Sequence, residues 1–367
     1  MKVLMTADTV GGVWTYAMEL AGALRPHGVR VVLATMGSRM DAAQRAEAAA
    51  LPNVTVHESS FRLEWMDAPW QDVDRAGEWL LALERAERPD IVHLNGYAHA
   101  DLPWLAPVVV VGHSCVRSWW EAVKGEAPPP SWDAYTGRVR SGLQAADVVV
   151  APSHAMLTSL ERHYGPLART RVIPNGRAQA LFQPARKELF IFAAGRLWDE
   201  AKNLAVLDRI AGALPWPTYV AGDMQSPDGR GKPVTAVRPL GRLDRATLAQ
   251  WLGRASIYAF PARYEPFGLS VTEAALSGCA LVLGDIPSLR EIWGDAATFV
   301  APDDEAGLAR AIRWLCDDPT LRRAQGARAR RRALALSPVC MAERYIALYT
   351  MLAQHARRST PEVACAS

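Results

Sequence analysis

The sequence predicts two doubly wound α/β domains in tandem, facing each other across a cleft, and three observations carry that expectation. The chain of 367 residues is long for one domain and sufficient for two cores. Short apolar, β-branched runs alternate with longer helical patterns, which is how a parallel sheet covered on both faces reads. The alternation occurs twice, on either side of RVIPNGRAQALFQPARKE, a stretch rich in Pro, Gly and Asn.

In chain order, the first series is KVLMTA, GVWTYAMELAGALRPHG, VRVVLAT, MDAAQRAEAAA, NVTVHE, DVDRAGEWLLALERAERPD, IVHLN, APVVVVGHS, ADVVVAPS and HAMLTSLERHYG. The second is ELFIFAAGR, NLAVLDRIAGAL, PTYVAGD, TAVRPLG, RATLAQWLGR, SIYAFPA, LSVTEAALSG, ALVLGD, ATFVAP and EAGLARAIRWLC. From Pro319 the chain is helical and polar; Met341, Tyr345, Leu348, Tyr349 and Leu352 fall on one helix face and predict packing on a domain surface. The expected division is a first domain over 1–173, a linker over 174–188, a second domain over 189–336, and a tail over 337–367 that packs back toward the first domain.

Composition narrows the function. A hydrophobic fraction of 50% with 22% charged residues is globular, and no run has the roughly 18 uninterrupted apolar residues of a membrane span. The start MKVLMTADTV is not a signal peptide, so a cytoplasmic protein is expected. The formal charge of +3 gives no reason to expect a nucleic-acid partner. Cys115, Cys279, Cys316, Cys340 and Cys365 are scattered, which argues against a zinc site or a disulfide framework. The basic run from Arg322 to Arg332 reads as a solvated helix face, with weak peripheral contact to anionic lipid as the alternative.

Ligands of open α/β sheets bind at the carboxyl ends of strands, where helix N-termini present free N–H groups. Gly11-Gly12 lies at the first such end, but TVGGVW does not match GxGxxG, and no GxxxxGK[ST] occurs anywhere. In the second half Arg196 ends a strand and Lys202 stands at the start of the next helix, cations suited to a diphosphate or simply surface charges. Glu265 sits in the loop after SIYAFPA, Gly268 lets backbone approach a ligand, and a helix starting near Ser270 aims its amides at the same space. Ser270-x-x-Glu273 also fits a capping box, in which Glu273 would serve the helix alone. His113 ends the strand APVVVVG, where it is either a core histidine or a cleft residue.

Glu265 and Glu273 form E-x7-E within EPFGLSVTEA, and this block resembles the donor-site signature of retaining glycosyltransferases of family 4, which have the GT-B fold. AGRL with Lys202, VIPNG, GHS at 112–114 and the opening Gly pair extend the resemblance from near residue 1 to about residue 350. It implies a metal-independent hexosyltransferase that uses a nucleotide-sugar donor such as UDP-glucose or GDP-mannose, needs no cofactor, and takes an acceptor hydroxyl on a saccharide, a lipid-linked saccharide or a small aglycone. By the same resemblance Glu273 would bind the ribose hydroxyls and Glu265 a hydroxyl of the donor hexose. Backbone amides at Phe267, Gly268 and Leu269 would contact sugar and β-phosphate, Arg196 and Lys202 would neutralise the leaving diphosphate, Gly11 and Gly12 would approach the phosphates, and His113 would face the sugar. No Asp-x-Asp offers itself as a metal-ligand pair, since Asp72-x-Asp74 falls within the helical run DVDRAGEWLLALERAERPD, and this agrees with catalysis without a metal.

The chain departs from the family in three places. LWDEA between Arg196 and Lys202 is one residue longer than the expected spacing, Arg177-Ala178 follow VIPNG where relatives have a hydrophobic residue and Asp, and Gly222 stands without a second glycine. Trp119-Trp120, in a loop just after His113, offer an acceptor platform. Two other classes fit parts of the pattern: a sugar-nucleotide epimerase on the same scaffold, and a non-catalytic nucleotide-sugar-binding protein.

Overall fold

The structure is a computed structural model that describes residues 1–225 and 233–359. Cys365 and the end of the expected tail, 360–367, lie outside the described residues.

The first domain is built on seven strands, β1 (Lys2–Asp8), β2 (Arg30–Met36), β3 (Val54–Glu58), β4 (Ile91–Leu94), β5 (Val108–Val111), β6 (Val148–Ala151) and β7 (Thr170–Val172). They are joined through helices α1 (Gly12–Leu24), α2 (Ala42–Ala49), α3 (Trp70–Glu87), α4 (Val116–Lys124), α5 (Asp133–Ala145) and α6 (His154–Tyr164). The sheet has the order β3-β2-β1-β4-β5-β6-β7 with every pairing parallel. Its apolar strands are buried on both faces, and the period of two is visible in β1. Val3, Met5 and Ala7 join the core beneath α1, whereas Leu4 points to the opposite core with Leu80, Val139 and Leu160.

The second domain contains β8 (Glu188–Ala194), α7 (Leu204–Ala211), β9 (Thr218–Ala221), β10 (Arg238–Pro239), α8 (Arg245–Arg254), β11 (Ala255–Phe260), α9 (Leu269–Leu276), β12 (Ala280–Gly284), α10 (Pro287–Trp293), β13 (Thr298–Val300), α11 (Glu305–Asp317) and α12 (Pro319–Leu334). Its six strands run β10-β9-β8-β11-β12-β13, again all parallel. Phe190 and Phe192 of β8 face one core and Ile191 and Ala193 the other.

The last helix, α13 (Pro338–Ser359), returns to the first domain. Met341, Tyr345, Leu348, Tyr349 and Leu352 are buried in the same core as Val3 and Met5. There the Tyr16 hydroxyl donates to the Tyr345 hydroxyl at 2.6 Å, and His93 Nδ1 pairs with the Tyr349 hydroxyl at 2.6 Å. The chain therefore crosses between the domains twice, and the crossings touch. Arg177 N–H donates to the Leu336 carbonyl at 2.9 Å, and a Cβ on Gly176 would lie 2.5 Å from Pro338 Cα.

Part of the basic run on α12 is engaged within its own domain. Arg322 donates to the Leu315 and Cys316 carbonyls at 2.6 and 3.0 Å, Arg330 to the Leu276 carbonyl at 3.0 Å, and Arg332 to the Glu291 carbonyl at 3.0 Å. No helix among the described residues is long and apolar enough to cross a membrane.

Candidate active site

Each sheet reverses its strand order at one place, between β1 and β4 in the first domain and between β8 and β11 in the second. Loops leaving the carboxyl ends on either side of such a reversal diverge and open a crevice. The loops after β8 and β11 carry Arg196, Lys202 and Glu265; the loop after β1 carries Gly11 and runs into Gly12 at the start of α1, and the loop after β4 carries Asn95.

Lys202 reaches Glu265 across the longer LWDEA segment. The extra length is taken up by a 3₁₀ turn over Glu200–Lys202, capped by the Asp199 side chain on the Ala201 N–H, so Lys202 ends this turn rather than starting α7. Its Nζ donates to Glu265 Oε2 at 2.8 Å and lies 5.7 Å above the Phe260 ring. Arg196 is 44% exposed and reaches Asp199 Oδ2 at 3.3 Å, so its guanidinium keeps most of its donors free.

Glu265 Oε1 accepts from the Gly268 and Phe267 amides at 3.0 and 3.4 Å. These two amides, expected to face the donor, thus face a carboxylate that closes the loop before α9. Gly268 makes the turn possible at φ +90, a conformation that costs a side-chain-bearing residue strain. Ser288 Oγ donates to the Glu265 carbonyl at 2.5 Å and fixes the backbone from α10.

The capping-box reading of Ser270 and Glu273 fails. The residue before α9 is Gly268, with no side-chain cap, and buried Glu273 turns away from the helix start. Its Oε1 accepts from Arg177 Nε at 2.7 Å, and the same guanidinium pairs with Glu19 on α1. Arg245 on α8 also reaches Glu19, at 3.2 Å, and pairs with Glu47, whose other oxygen accepts from Trp14 Nε1 at 2.9 Å. A chain of alternating charges thus runs from Glu273 through Arg177, Glu19 and Arg245 to Glu47. Burial pushes the Glu273 carboxyl up, against the Arg177 charge that holds it down.

The Gly pair meets the second domain directly. A Cβ on Gly11 would lie 3.8 Å from Arg196 Nη1, and one on Gly12 would lie 3.6 Å from Leu269 Cδ1. Asp8, just before them, is raised to about 6 by burial, opposed by the Val10 N–H and by Arg196.

His113 lies two residues beyond β5, and its Nε2 is 2.8 Å from Asn95 Oδ1. Asn95 donates its amide nitrogen to the Thr6 carbonyl at 2.6 Å, so its oxygen is the acceptor and His113 carries its proton on Nε2. Nδ1 is left with a lone pair. Burial lowers His113 to about 3, so the ring is neutral near pH 7. Cys115 N–H and Ser118 Oγ bond the Tyr264 hydroxyl at 3.2 and 2.9 Å, which ties the histidine loop to the residue before Glu265.

Trp119 and Trp120 stand on α4, not in a loop, and Trp119 Nε1 donates to Asp199 Oδ1 at 3.1 Å across the cleft. That indole joins the domains. Glu291 does the same from α10, accepting the His154 and Ala155 amides at the start of α6 at 2.8 Å each. The sequence reading gave no role to Asn95, Glu291 or Asp199, and it took Arg177 only as a departure. IVHLN ends its strand on Asn95, which was the available signal, and Asp199 lies in the LWDEA segment already singled out for its length.

With this geometry in place, comparison with known proteins separates the readings. Residues 10–178 match the family described as Glycosyltransferase Family 4, and residues 234–332 match Glycosyl transferases group 1. A glycogen synthase of Mycobacterium tuberculosis is 31% identical, over 75% of this chain and 73% of that protein. The chain belongs to glycosyltransferase family 4. A D-inositol 3-phosphate glycosyltransferase of Kineococcus radiotolerans is 28% identical over 94% of this family 4 chain and 91% of its own. Among solved structures, sucrose-phosphate synthase from Thermosynechococcus elongatus superposes with a TM-score of 0.82 at 19% identity, covering 97% of this chain and all (100%) of that one. Anabaena HepE in complex with UDP-glucose gives 0.76 at 18%, covering 96% and 100%. At these identities the likeness establishes the GT-B fold of this family 4 glycosyltransferase.

Proposed function

We propose that this glycosyltransferase moves a hexose from a nucleotide-diphosphate sugar of the UDP-glucose or GDP-mannose type to an acceptor hydroxyl, with retention at the anomeric carbon and without a metal. The observation that carries the reading is the convergence of Arg196, the Lys202–Glu265 pair and the Gly11-Gly12 turn at the strand-order reversals of the two facing sheets. The transition state separates an oxocarbenium sugar from a diphosphate whose charge is growing. Arg196 and Lys202 stabilise that charge, and fixed cations and donors of this kind are worth about 3 to 4 kcal/mol each.

Glu265, held at both oxygens, presents a rigid acceptor to a donor-sugar hydroxyl. Glu273 binds the ribose through lone pairs that Arg177 leaves open, since its Oε1 takes one bond. Neutral His113 offers Nδ1 to the sugar. In the transfer the acceptor oxygen bonds to the anomeric carbon on the face from which the phosphate oxygen leaves. The acceptor's proton passes to that departing oxygen, so no protein nucleophile is required. HepE was solved with UDP-glucose on this fold, which supports the donor class.

A thermal-shift panel of nucleotide sugars, followed by assay of nucleotide diphosphate release, tests the reading. A bound donor at 100 times its Kd stabilises by about 2.7 kcal/mol. Acceptor-dependent release that persists in EDTA, with an axial (α) product from an α donor, is expected. Conversion of donor alone into an epimer, or tight binding without release for any acceptor, would refute it.

A further inference from the structure

Glu64 has no place in the donor machinery. It lies on the loop between β3 and α3, and its carboxylate accepts from the Tyr97 N–H at 3.2 Å (Oε1) and 3.1 Å (Oε2) and from the Ala98 N–H at 2.7 Å (Oε2). Those amides belong to the turn after β4, beside the strand-order reversal of the first sheet, where a parallel sheet opens its crevice. The same turn supplies Asn95 to His113, and the Tyr97 hydroxyl donates to the Ser114 carbonyl at 2.7 Å. The carboxylate and the histidine are therefore mounted on one short segment. Gly96 adds no side chain over the carboxylate; a Cβ there would come within 3.7 Å of Oε2.

The surroundings of Glu64 are polar but not cationic. No Lys or Arg forms an ion pair with it among the described residues, and burial raises its carboxyl to about 7 against only the two backbone N–H groups. Tyr97, Tyr135 and Tyr164, which feel its charge, are neutral phenols, and Arg117 acts on His163 and Tyr164 but not on Glu64. Asp8, a second carboxyl, ends β1 on the other side of the reversal. Trp65, the next residue in the loop, is 37% exposed. Half-buried Glu64 retains unfilled lone pairs, because three short contacts are shared between two oxygens.

We infer that Glu64 anchors the acceptor by its hydroxyls and makes this enzyme selective for a neutral polyhydroxyl acceptor, a saccharide or polyol, over a phosphorylated or carboxylated one. A carboxylate accepts from vicinal hydroxyls, and an indole face packs against the C–H face of a sugar ring. An anionic acceptor at this place meets the Glu64 carboxyl, which has no ion-pair partner among the described residues, and amides already bonded to it. The inference rests on the glycosyltransferase reading of the cleft.

Its test measures nucleotide diphosphate release from UDP-glucose or GDP-mannose by the full chain, with matched acceptors: maltose against maltose 1-phosphate, myo-inositol against its 3-phosphate, and glucose against its 6-phosphate. The neutral member of whichever pair is accepted is expected to have at least tenfold higher kcat/KM. Glu64→Gln is expected to lower acceptor kcat/KM at least tenfold, mainly through KM, with donor KM unchanged, and Glu64→Lys to narrow the gap to the phosphorylated member. Preference of the parent enzyme for a phosphorylated acceptor overturns the inference and needs no variant; so does an unchanged acceptor KM in Glu64→Gln. Either result leaves the transfer reaction standing, whereas absence of release with every acceptor overturns both.

Discussion

Arg196 and Lys202 carry like charges toward one space but are held by different means. Lys202 is pinned to Glu265 in a half-buried pair, whereas Arg196 is exposed and its ion pair is with Asp199. The difference separates catalysis from stability. Arg196→Ala is expected to lower kcat by roughly 10²- to 10³-fold with an unchanged melting temperature, because an exposed ion pair contributes little. Lys202→Ala should lose kcat to a similar degree and also lower the melting temperature, since the mostly buried Glu265 is left without its cation. Steady-state kinetics with melting curves on both variants checks this; full turnover in both would remove them from the leaving-group role. Both cations were legible in the sequence, because each follows a recognisable strand. Their restraint was not: Glu265 is 63 residues from Lys202, a distance no local pattern spans.

The linker contributes more than a connection. Arg177, 3% exposed, bridges Glu273 of α9 and Glu19 of α1, so a residue between the domains neutralises a carboxylate from each. Removing this buried guanidinium leaves Glu273 without an ion-pair partner among the described residues and Glu19 with Arg245 alone. Arg177→Met is therefore expected to cost about 3 to 5 kcal/mol of stability. It should also raise donor KM more than it lowers kcat, because Glu273 loses its orientation. Denaturant unfolding and donor titration read the two effects separately, and a variant as stable as the parent would show that the bridge is not formed. Sequence periodicity located α9 and α1 but could not join them. The regular elements were legible because their signals are local; pairings between α1, the linker and α9 exist only once two domains have docked.

The pH response belongs to the folded chain as a unit, because groups of opposite behaviour are buried in the same fold. His93 and His113 are lowered from 6.5 to about 3, so below pH 6.5 the unfolded chain binds protons that the folded one refuses, and stability falls as pH falls. Asp8 and Glu64 are raised from 3.8 and 4.5 to about 6 and about 7, so there the folded chain holds the extra protons, and their stability contribution falls as pH rises. Between about pH 5 and 7 the contributions of these four groups nearly cancel. Glu64→Gln removes one member of the balance. Its stability should then rise with pH from 5 to 7 by on the order of 1.4 kcal/mol per pH unit, the slope of one unmatched proton. Urea unfolding at several pH values measures the slope, and parallel profiles for parent and variant would contradict these assignments.

The return of α13 to the first domain has a consequence for how the protein is made. The core that holds Val3 and Met5 also requires Met341, Tyr345 and Tyr349, so those pieces leave the ribosome after the whole of the second domain. The second domain is complete in sequence by Leu334. During synthesis the domain that starts first is thus the domain that finishes second, and its half-built sheet must wait with an open face while its neighbour folds.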